Sequence, residues 1–374
     1  MRIGVPKEIK PHEYRVGLTP AGVRELVGRG HTVRVESQAG ARIGFDDGAY
    51  TAAGAQVVAG PAEVLGGSEL IVKVKEPQPV EIDRLRPEHV LFTYLHLAAD
   101  VEQAKGLMHA GATCIAYETV TDAAGSLPLL APMSEIAGRM SVQVGAQALL
   151  NPYGGRGVLL GGIPGVPPAR VVVLGGGVAG AQAAHVAVGL GASVCIIDRS
   201  VPRLRALGAE FGTRVETAAS SPDVVADQVL AADLVIGTVL IPGAAAPKLV
   251  TRELVERMRD GSALVDVSID QGGCFETSRP TTHQEPTYVE SGIVHYCVTN
   301  MPGAVATTST LALTNATFPF VCALADKGWE AALAEDEHLR NGLNLYAGRV
   351  HHPTVAGAIG APFHPFRFEG GRSS

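Results

Sequence analysis

Four ionisable side chains stand where this sequence could do chemistry. Lys75 ends the apolar run Leu-Ile-Val-Lys-Val-Lys, His96 ends Val-Leu-Phe-Thr-Tyr-Leu-His, and Glu118 ends Thr-Cys-Ile-Ala-Tyr-Glu. Asp270 follows Ala-Leu-Val-Asp-Val-Ser and Ile269. Each run has the length and β-branched or aromatic content of a strand. In open parallel sheets, ligands bind beyond the carboxyl ends of strands. A cation, an imidazole and a carboxylate are therefore expected along one edge of an N-terminal domain, with Asp270 on a second sheet. Arg15 sits in the loop after the first strand, Arg2–Val5. An imidazole suits proton traffic near neutral pH, and Arg matches a planar carboxylate better than Lys does. Each residue also has a plainer reading. A strand-end Lys or Glu is usually just solvated, His96 fits a core histidine, Asp270 a turn before Gln271-Gly272-Gly273, and Arg15 a surface ion pair. Adjacent His351 and His352 cannot readily chelate one ion from a regular element, so no metal site is read.

A second constellation is Val-Val-Val-Leu-Gly175-Gly176-Gly177-Val178-Ala179-Gly180. Its G-x-G-x-x-G spacing falls on Gly175, Gly177 and Gly180. A bare match is weak in a chain with 45 glycines. Its context is specific: an apolar strand precedes it, an uncharged helix follows, and the next strand ends in Asp198. The first Gly permits the tight turn, the second lets backbone approach a pyrophosphate, and the third lets helix and strand pack closely. The helix N-terminus then offers free N–H groups to phosphate. Asp198 would bind ribose hydroxyls and repel a 2′-phosphate, which favours NAD, although Arg199 and Arg203 leave room for NADP. The absence of G-x-x-x-x-G-K-[ST] excludes a P-loop nucleotidase.

The elements that carry these residues alternate. Thr19-Pro20 caps a helix that Gly30 stops. A long helix is expected over Ala131–Leu150, a Gly/Pro-rich loop over 151–169, and helix again from about Thr307 to Leu333. The pattern is α/β, read as two Rossmann-like domains with parallel sheets and a cleft between them. The expected division is 1–128, 129–305 and 306–374, with the first and last parts forming one domain. Two blocks, Val171–Ile197 and Ser291–Ala325, hold no Asp, Glu, Lys or Arg. The first is broken by glycines and the second by Thr, Ser, Asn, Pro302 and Pro319, so neither reads as a lipid-facing helix. A net charge of -7 argues against nucleic acid and anionic membrane as partners. Five scattered cysteines without a CxxC pair, and an N-terminus without an apolar signal core, point to a reducing cytoplasm. The tail from His364 is expected to be partly disordered.

Taken together, these segments resemble the alanine dehydrogenases, in the family shared with the NAD-binding component of the proton-translocating transhydrogenase. The likeness rests on MRIGVPKEIKPHEYRVGLTP, IVKVKEP, Tyr94-Leu95-His96, APMSEIAGRMS, VLGGGVAG, DVSIDQGG and VTNMPGAV, and covers about Met1 to Gly360. Where the transhydrogenase carries an Arg-Gln-Asp arrangement, this chain reads Met133-Ser134-Glu135-Ile136-Ala137-Gly138-Arg139, as in the alanine enzymes. The resemblance implies NAD-linked, reversible deamination of L-alanine to pyruvate and ammonia by a homohexamer. It implies that Arg15 and Lys75 bind substrate and that His96 and Asp270 are the acid/base pair. It also implies that Ser134, Val178, Ala179, Asp198, Arg203, Ser220, Val239, Leu240, Ile269, Arg279, Val298, Asn300 and Met301 line the NAD site. Some relatives bind a metal through a carboxylate and a histidine near Cys322; that helix lacks such a pair here, so none is carried over. Another amino-acid dehydrogenase and a transhydrogenase-like subunit are the alternatives.

Overall fold

The computed structural model describes residues 1–239 and 246–368. The chain divides into two compact units, Met1–Pro132 with Val305–Ser374, and Met133–Ala304. In chain order the strands are β1 (Arg2–Val5), β2 (Thr32–Glu36), β3 (Gln56–Val58), β4 (Leu70–Val72), β5 (Val90–Thr93), β6 (Thr113–Ala116), β7 (Arg170–Leu174) and β8 (Ser193–Asp198). They continue with β9 (Glu216–Ala219), β10 (Leu234–Gly237), β11 (Ala263–Asp266), β12 (Thr287–Glu290), β13 (Ile293–Tyr296), β14 (Leu343–Tyr346) and β15 (Arg349–Val350).

In the first unit the sheet order is β15-β14-β6-β5-β4-β1-β2-β3. β1 to β6 are parallel, whereas β14 is antiparallel to β6. The chain winds outward from β1 to β3, then restarts beside β1 at β4. The order therefore reverses between β1 and β4, which is where open α/β sheets bind ligands. Because β4, β5 and β6 are buried on both faces, they read as continuous apolar runs. Ile71, Leu91 and Cys114 pack against Ala104 and Leu107 of helix Val101–Ala110 and against Leu345 and Val350. Helix Pro20–Gly28 starts as its sequence predicts: the Thr19 hydroxyl accepts from the Gly22 N–H at 3.2 Å, with Pro20 at the first position.

The second unit repeats the plan. Its order is β12-β13-β11-β10-β7-β8-β9, parallel except for β12. Here the reversal lies between β7 and β10. Val172, Leu174, Cys195, Val235 and Leu264 form a core with Val225, Val229, Leu254 and Val255.

Several expectations need correction. The strands expected to end at Lys75, His96 and Glu118 stop at Val72, Thr93 and Ala116. Backbone pairing nevertheless continues irregularly, with Lys73 N–H to Phe92 C=O and Tyr94 N–H to Val74 C=O, both at 3.2 Å. The long helix ends at Ala148 rather than Leu150. The C-terminal helix runs Ala306–Lys327 straight through Pro319, and Gly328 (φ 78°) separates it from Trp329–Glu335. Met301–Lys327 is long and apolar enough to cross a membrane by length and composition, and half of its most apolar stretch is buried. Thr310 on that helix accepts the Val16 N–H, so the helix is part of the first unit's interior. The tail is packed as far as it is described: Phe366 lies against Trp329, Tyr346 and His351. The rest of the tail, 369–374, lies outside the described residues.

Candidate functional site

In the first unit, Arg15 follows β1 and Lys75 follows β4, the two strands that flank the reversal. Arg15 is 1% exposed. Glu13 holds it from the same loop, taking its Nε at 2.7 Å and its Nη2 at 2.5 Å on separate carboxylate oxygens. This two-point fork fixes the guanidinium plane. Lys75 lies three residues beyond β4, with its side chain largely buried and its Nζ 3.4 Å from Glu76. Glu76 also pairs with Lys10. Burial works to raise the Glu76 carboxyl, but Lys75, Lys10 and His96 together hold it down, at about 2.

Beneath Lys75 lies a charge cluster that the sequence did not announce. Lys73 Nζ, almost fully buried, donates to Glu8 at 3.2 Å and to Glu81 at 2.8 Å. Glu8 in turn accepts the N–H groups of Val74 at 2.7 Å and Lys75 at 3.3 Å. Burial pushes the Glu8 carboxyl above its ordinary value against the opposing pull of Lys73. The strand pattern could have revealed Lys73, since a Lys inside a run buried on both faces requires a partner.

His96 is exposed and has φ 51°, a left-handed conformation that few residues other than Gly adopt. Its ring stacks on Tyr94, with centroids 5.7 Å apart. The Tyr94 hydroxyl donates to Leu129 C=O at 2.5 Å. Lys75 and His96 both act on the Glu76 carboxylate, so these two share one electrostatic neighbourhood, and burial keeps the Tyr94 hydroxyl between Arg15 and His96 neutral. Glu118 occupies a 3-10 turn after β6.

In the second unit, the glycine turn is built by close backbone approach. Gly175 has φ 100°. A Cβ on Gly180 would lie 1.9 Å from Gly175 O, and one on Gly138 would lie 2.1 Å from Ala179 O. Gly138 thus explains why APMSEIAGRMS carries a glycine mid-helix: helix Ala131–Ala148 rests on the start of helix Val178–Gly189. Thr238, after β10, donates to Leu174 C=O and Gly175 C=O at 3.0 and 2.8 Å and so bridges the reversal. Gly177 has open space around its Cβ position, and Val178 is 46% exposed. This bare helix start, free of acidic residues in its first turn, fits a pyrophosphate.

Asp198 ends β8 and grips two backbone donors, Gly176 N–H and Ser200 N–H, each at 2.7 Å. Arg203 donates to Gly176 C=O. Ser220 follows β9, and its N–H pairs with Asp198 C=O. Val239 is half-buried after β10; Leu240 lies outside the described residues. Ile269 is buried and Asp270 exposed in a 3-10 turn three residues past β11. Asp266, at the end of β11, anchors that turn by accepting from Ser268 N–H, Cys274 N–H and Ser278 Oγ. Arg279 lies over the Tyr288 ring at 3.9 Å. Val298 and Met301 are buried, and Asn300 has φ 60°. Ser134 is half-buried on helix Ala131–Ala148. Gly175, Ser220, Val239, Ile269, Asp270 and Val298 follow parallel strands, and Asp198 ends one, so all lie along the carboxyl-end edge of this sheet. Among the described residues, no group of three or more His, Cys, Asp or Glu could hold a metal ion.

The comparisons with known proteins agree with this geometry. Residues 4–137 match the model described as alanine dehydrogenase/PNT, N-terminal domain, and residues 141–353 match its C-terminal domain. This chain belongs to the alanine dehydrogenase/PNT family. An alanine dehydrogenase of Halomonas elongata is 59% identical, covering 97% of this chain and 98% of its own. A solved L-alanine dehydrogenase is 55% identical with a TM-score of 0.93, over 96% of this chain and 99% of that one. A solved transhydrogenase from Sinorhizobium meliloti is 27% identical with a TM-score of 0.79, over 94% and 99%. The family uses a pyridine nucleotide, and the open glycine turn fits one.

Proposed function

We propose that this enzyme, an oxidoreductase, catalyses NAD-dependent oxidative deamination of L-alanine to pyruvate and ammonia, and the reverse reaction. The observation that carries the reading is the repeated strand reversal. One sheet presents Arg15 and Lys75 there, with His96 after the adjoining strand, and the other presents an intact dinucleotide turn. The bound nicotinamide supplies the hydride acceptor. Arg15, fixed by Glu13, binds the substrate carboxylate, and Lys75 stabilises negative charge on the carbonyl oxygen. His96 and Asp270 are the proposed acid/base groups: one neutralises the alanine amine so that hydride can leave Cα, and water is activated against the resulting iminium. Water supplies the oxygen of pyruvate, and ammonia leaves with the nitrogen.

NAD rather than NADP is proposed because Asp198 places a carboxylate at the end of β8, where a 2′-phosphate would meet it. We further propose a cytoplasmic homohexamer. Five buried, free cysteines support a reducing compartment. Exposed Leu159, Ile163 and Val166, 56–60% accessible, support burial against further copies of the chain. The test is NADH formation with a panel of amino acids at alkaline pH. Alanine should lead the panel, NADP should substitute poorly, and His96→Ala should lose turnover while keeping NADH affinity. Equal rates with lysine or NADP, or an unimpaired His96→Ala, would overturn the corresponding part.

A further inference from the structure

One peptide bond in the first unit is held at both of its polar ends by side chains from separate elements. The Leu95 C=O accepts from Gln103 Nε2 at 2.7 Å. The N–H of the same peptide group, that of His96, donates to Glu118 Oε1 at 2.6 Å. The preceding N–H, from Leu95, also reaches the Glu118 carboxylate, 3.2 Å from each oxygen. Gln103 is buried in the first turn of helix Val101–Ala110, where the Asp100 cap takes its N–H at 3.0 Å. Glu118 arrives from the turn after β6. The residue that follows this gripped peptide is His96, at φ 51° and ψ 34°.

These facts belong together. An L side chain at positive φ is disfavoured, and such a conformation persists only where its surroundings over-determine it. The peptide plane before His96 sets one side of its φ rotation. Pinning that plane through both its carbonyl and its N–H removes the rotation that would return His96 to ordinary backbone. The ring is then directed from a fixed base and stacked on Tyr94. Neither Gln103 nor Glu118 needs to touch substrate for this.

We propose that Gln103 and Glu118 form a two-sided clamp on the Leu95–His96 peptide, as positioning residues that hold His96 in its working orientation. The proposal rests on the reading of His96 as an acid/base group and assigns these two residues a purely geometric part in it. Glu118 acts as an acceptor oxygen and not as a charge. Gln103 acts as a donor that a similar-sized apolar side chain cannot replace.

The experiment compares Gln103→Met, Glu118→Ala, Glu118→Gln and the Gln103→Met/Glu118→Ala double variant with His96→Ala. For each, kcat and KM with alanine, the isotope effect with Cα-deuterated alanine, the NADH dissociation constant and the melting temperature are measured on full-length enzyme. Gln103→Met and Glu118→Ala should each lower kcat roughly tenfold or more. Their KM and NADH affinity should stay within about twofold of the parent, and the isotope effect should rise as the chemical step becomes slower. Glu118→Gln should restore most of the turnover, because its amide oxygen still accepts the His96 N–H. The double variant should be no slower than the worse single variant, since both residues hold the same peptide.

The clamp is refuted if folded Gln103→Met and Glu118→Ala turn over at the parent rate while His96→Ala is inactive. It is also refuted if only their melting temperatures fall, if their losses multiply, or if Glu118→Gln is as slow as Glu118→Ala, which would make the charge the active feature. A fully active His96→Ala would instead remove the acid/base reading itself. Should Glu118→Ala fail to fold, Glu118→Gln and Gln103→Met still decide the matter, because both nearly preserve size.

Discussion

Gly180→Ala tests whether the dinucleotide turn depends on close approach of helix to strand. The added methyl would lie 1.9 Å from Gly175 O, 2.8 Å from Thr238 Oγ1 and 3.0 Å from Gly175 C. Two of these three obstacles are backbone, and Thr238 is pinned by its own hydrogen bonds, so no rotamer change relieves the clash. The start of helix Val178–Gly189 must move away from the end of β7 by about 1 Å or more. Overpacking of this kind costs about 1–3 kcal/mol, and Ala returns up to about 1 kcal/mol of helix propensity. Because two of the three obstacles are backbone, the overpacking cost belongs at the upper end of that range, and a net loss of about 2 kcal/mol is expected, which in a unit of this size lowers the melting temperature by about 4–8 °C. The same movement withdraws the helix N–H groups from a bound pyrophosphate, so NADH affinity should fall about tenfold, or about 1.4 kcal/mol. Gly189→Ala is the internal control. It lies on the same helix with nothing within 4 Å of its Cβ position, so it should leave NADH binding alone and hold or raise stability. Calorimetry and NADH fluorescence titration read both quantities. If Gly180→Ala matches Gly189→Ala in melting temperature and NADH affinity, the close-approach reasoning is wrong.

Two further substitutions probe the first unit. Glu13→Gln breaks a buried two-point pair with Arg15, an event that typically costs about 3–5 kcal/mol; chemical denaturation should show that loss, and KM for alanine should rise as Arg15 loses its fixed plane. Glu76 is held at about 2, below the ordinary 4.5, so it contributes stability above pH 4.5 that is lost as pH falls toward 2. By linkage this amounts to about 3 kcal/mol at most, and Glu76→Gln should flatten the denaturation midpoint between pH 5 and pH 2.5; an unchanged acid slope would contradict the assigned pairing with Lys75 and Lys10.

The sheets and their ligand edges were legible because their signals are local. An apolar run marks β7, β8, β10 or β11, and G-x-G-x-x-G marks the turn between β7 and its helix. Other features depend on contacts between distant parts of the chain. Strands β9 and β12 carry alternating or exposed residues and gave no apolar run. β14 and β15 are short and join the first sheet from more than 220 residues beyond β6, a pairing that no local pattern announces. The left-handed backbone at His96 is invisible in a histidine, because its cause is Gln103 and Glu118 and not its own side chain. Glu118 is legible as a strand-end carboxylate, whereas nothing in the sequence singles out Gln103, whose capping bond to Asp100 shows only in the structure. Asp198 is read from the sequence as a ribose-binding carboxylate, whereas the structure shows it tying Gly176 and Ser200 together, so this carboxylate shapes the turn itself.

The two units position their candidate functional groups by opposite means. In the second, glycine lets backbone meet backbone: Gly138, Gly175 and Gly180 remove side chains so that helix and strand ends approach closely. In the first, charge itself is buried. Glu8, Glu13, Arg15, Lys73 and Glu81 are all at most 6% exposed. A well-packed apolar set of similar volume is often at least as stable as a buried ion pair, so stability alone does not account for this cluster. Its bonds run to backbone beside the candidate substrate residues: Glu8 takes the N–H groups of Val74 and Lys75, and Tyr117 donates to Lys73 C=O. An apolar core would fill the same space but would leave those groups unpaired and the Val74–Lys75 stretch free to shift. Directional bonds fix both where that stretch lies and how it is turned. Lys73 is therefore the anchor and Lys75 the residue delivered, although in sequence the two look interchangeable.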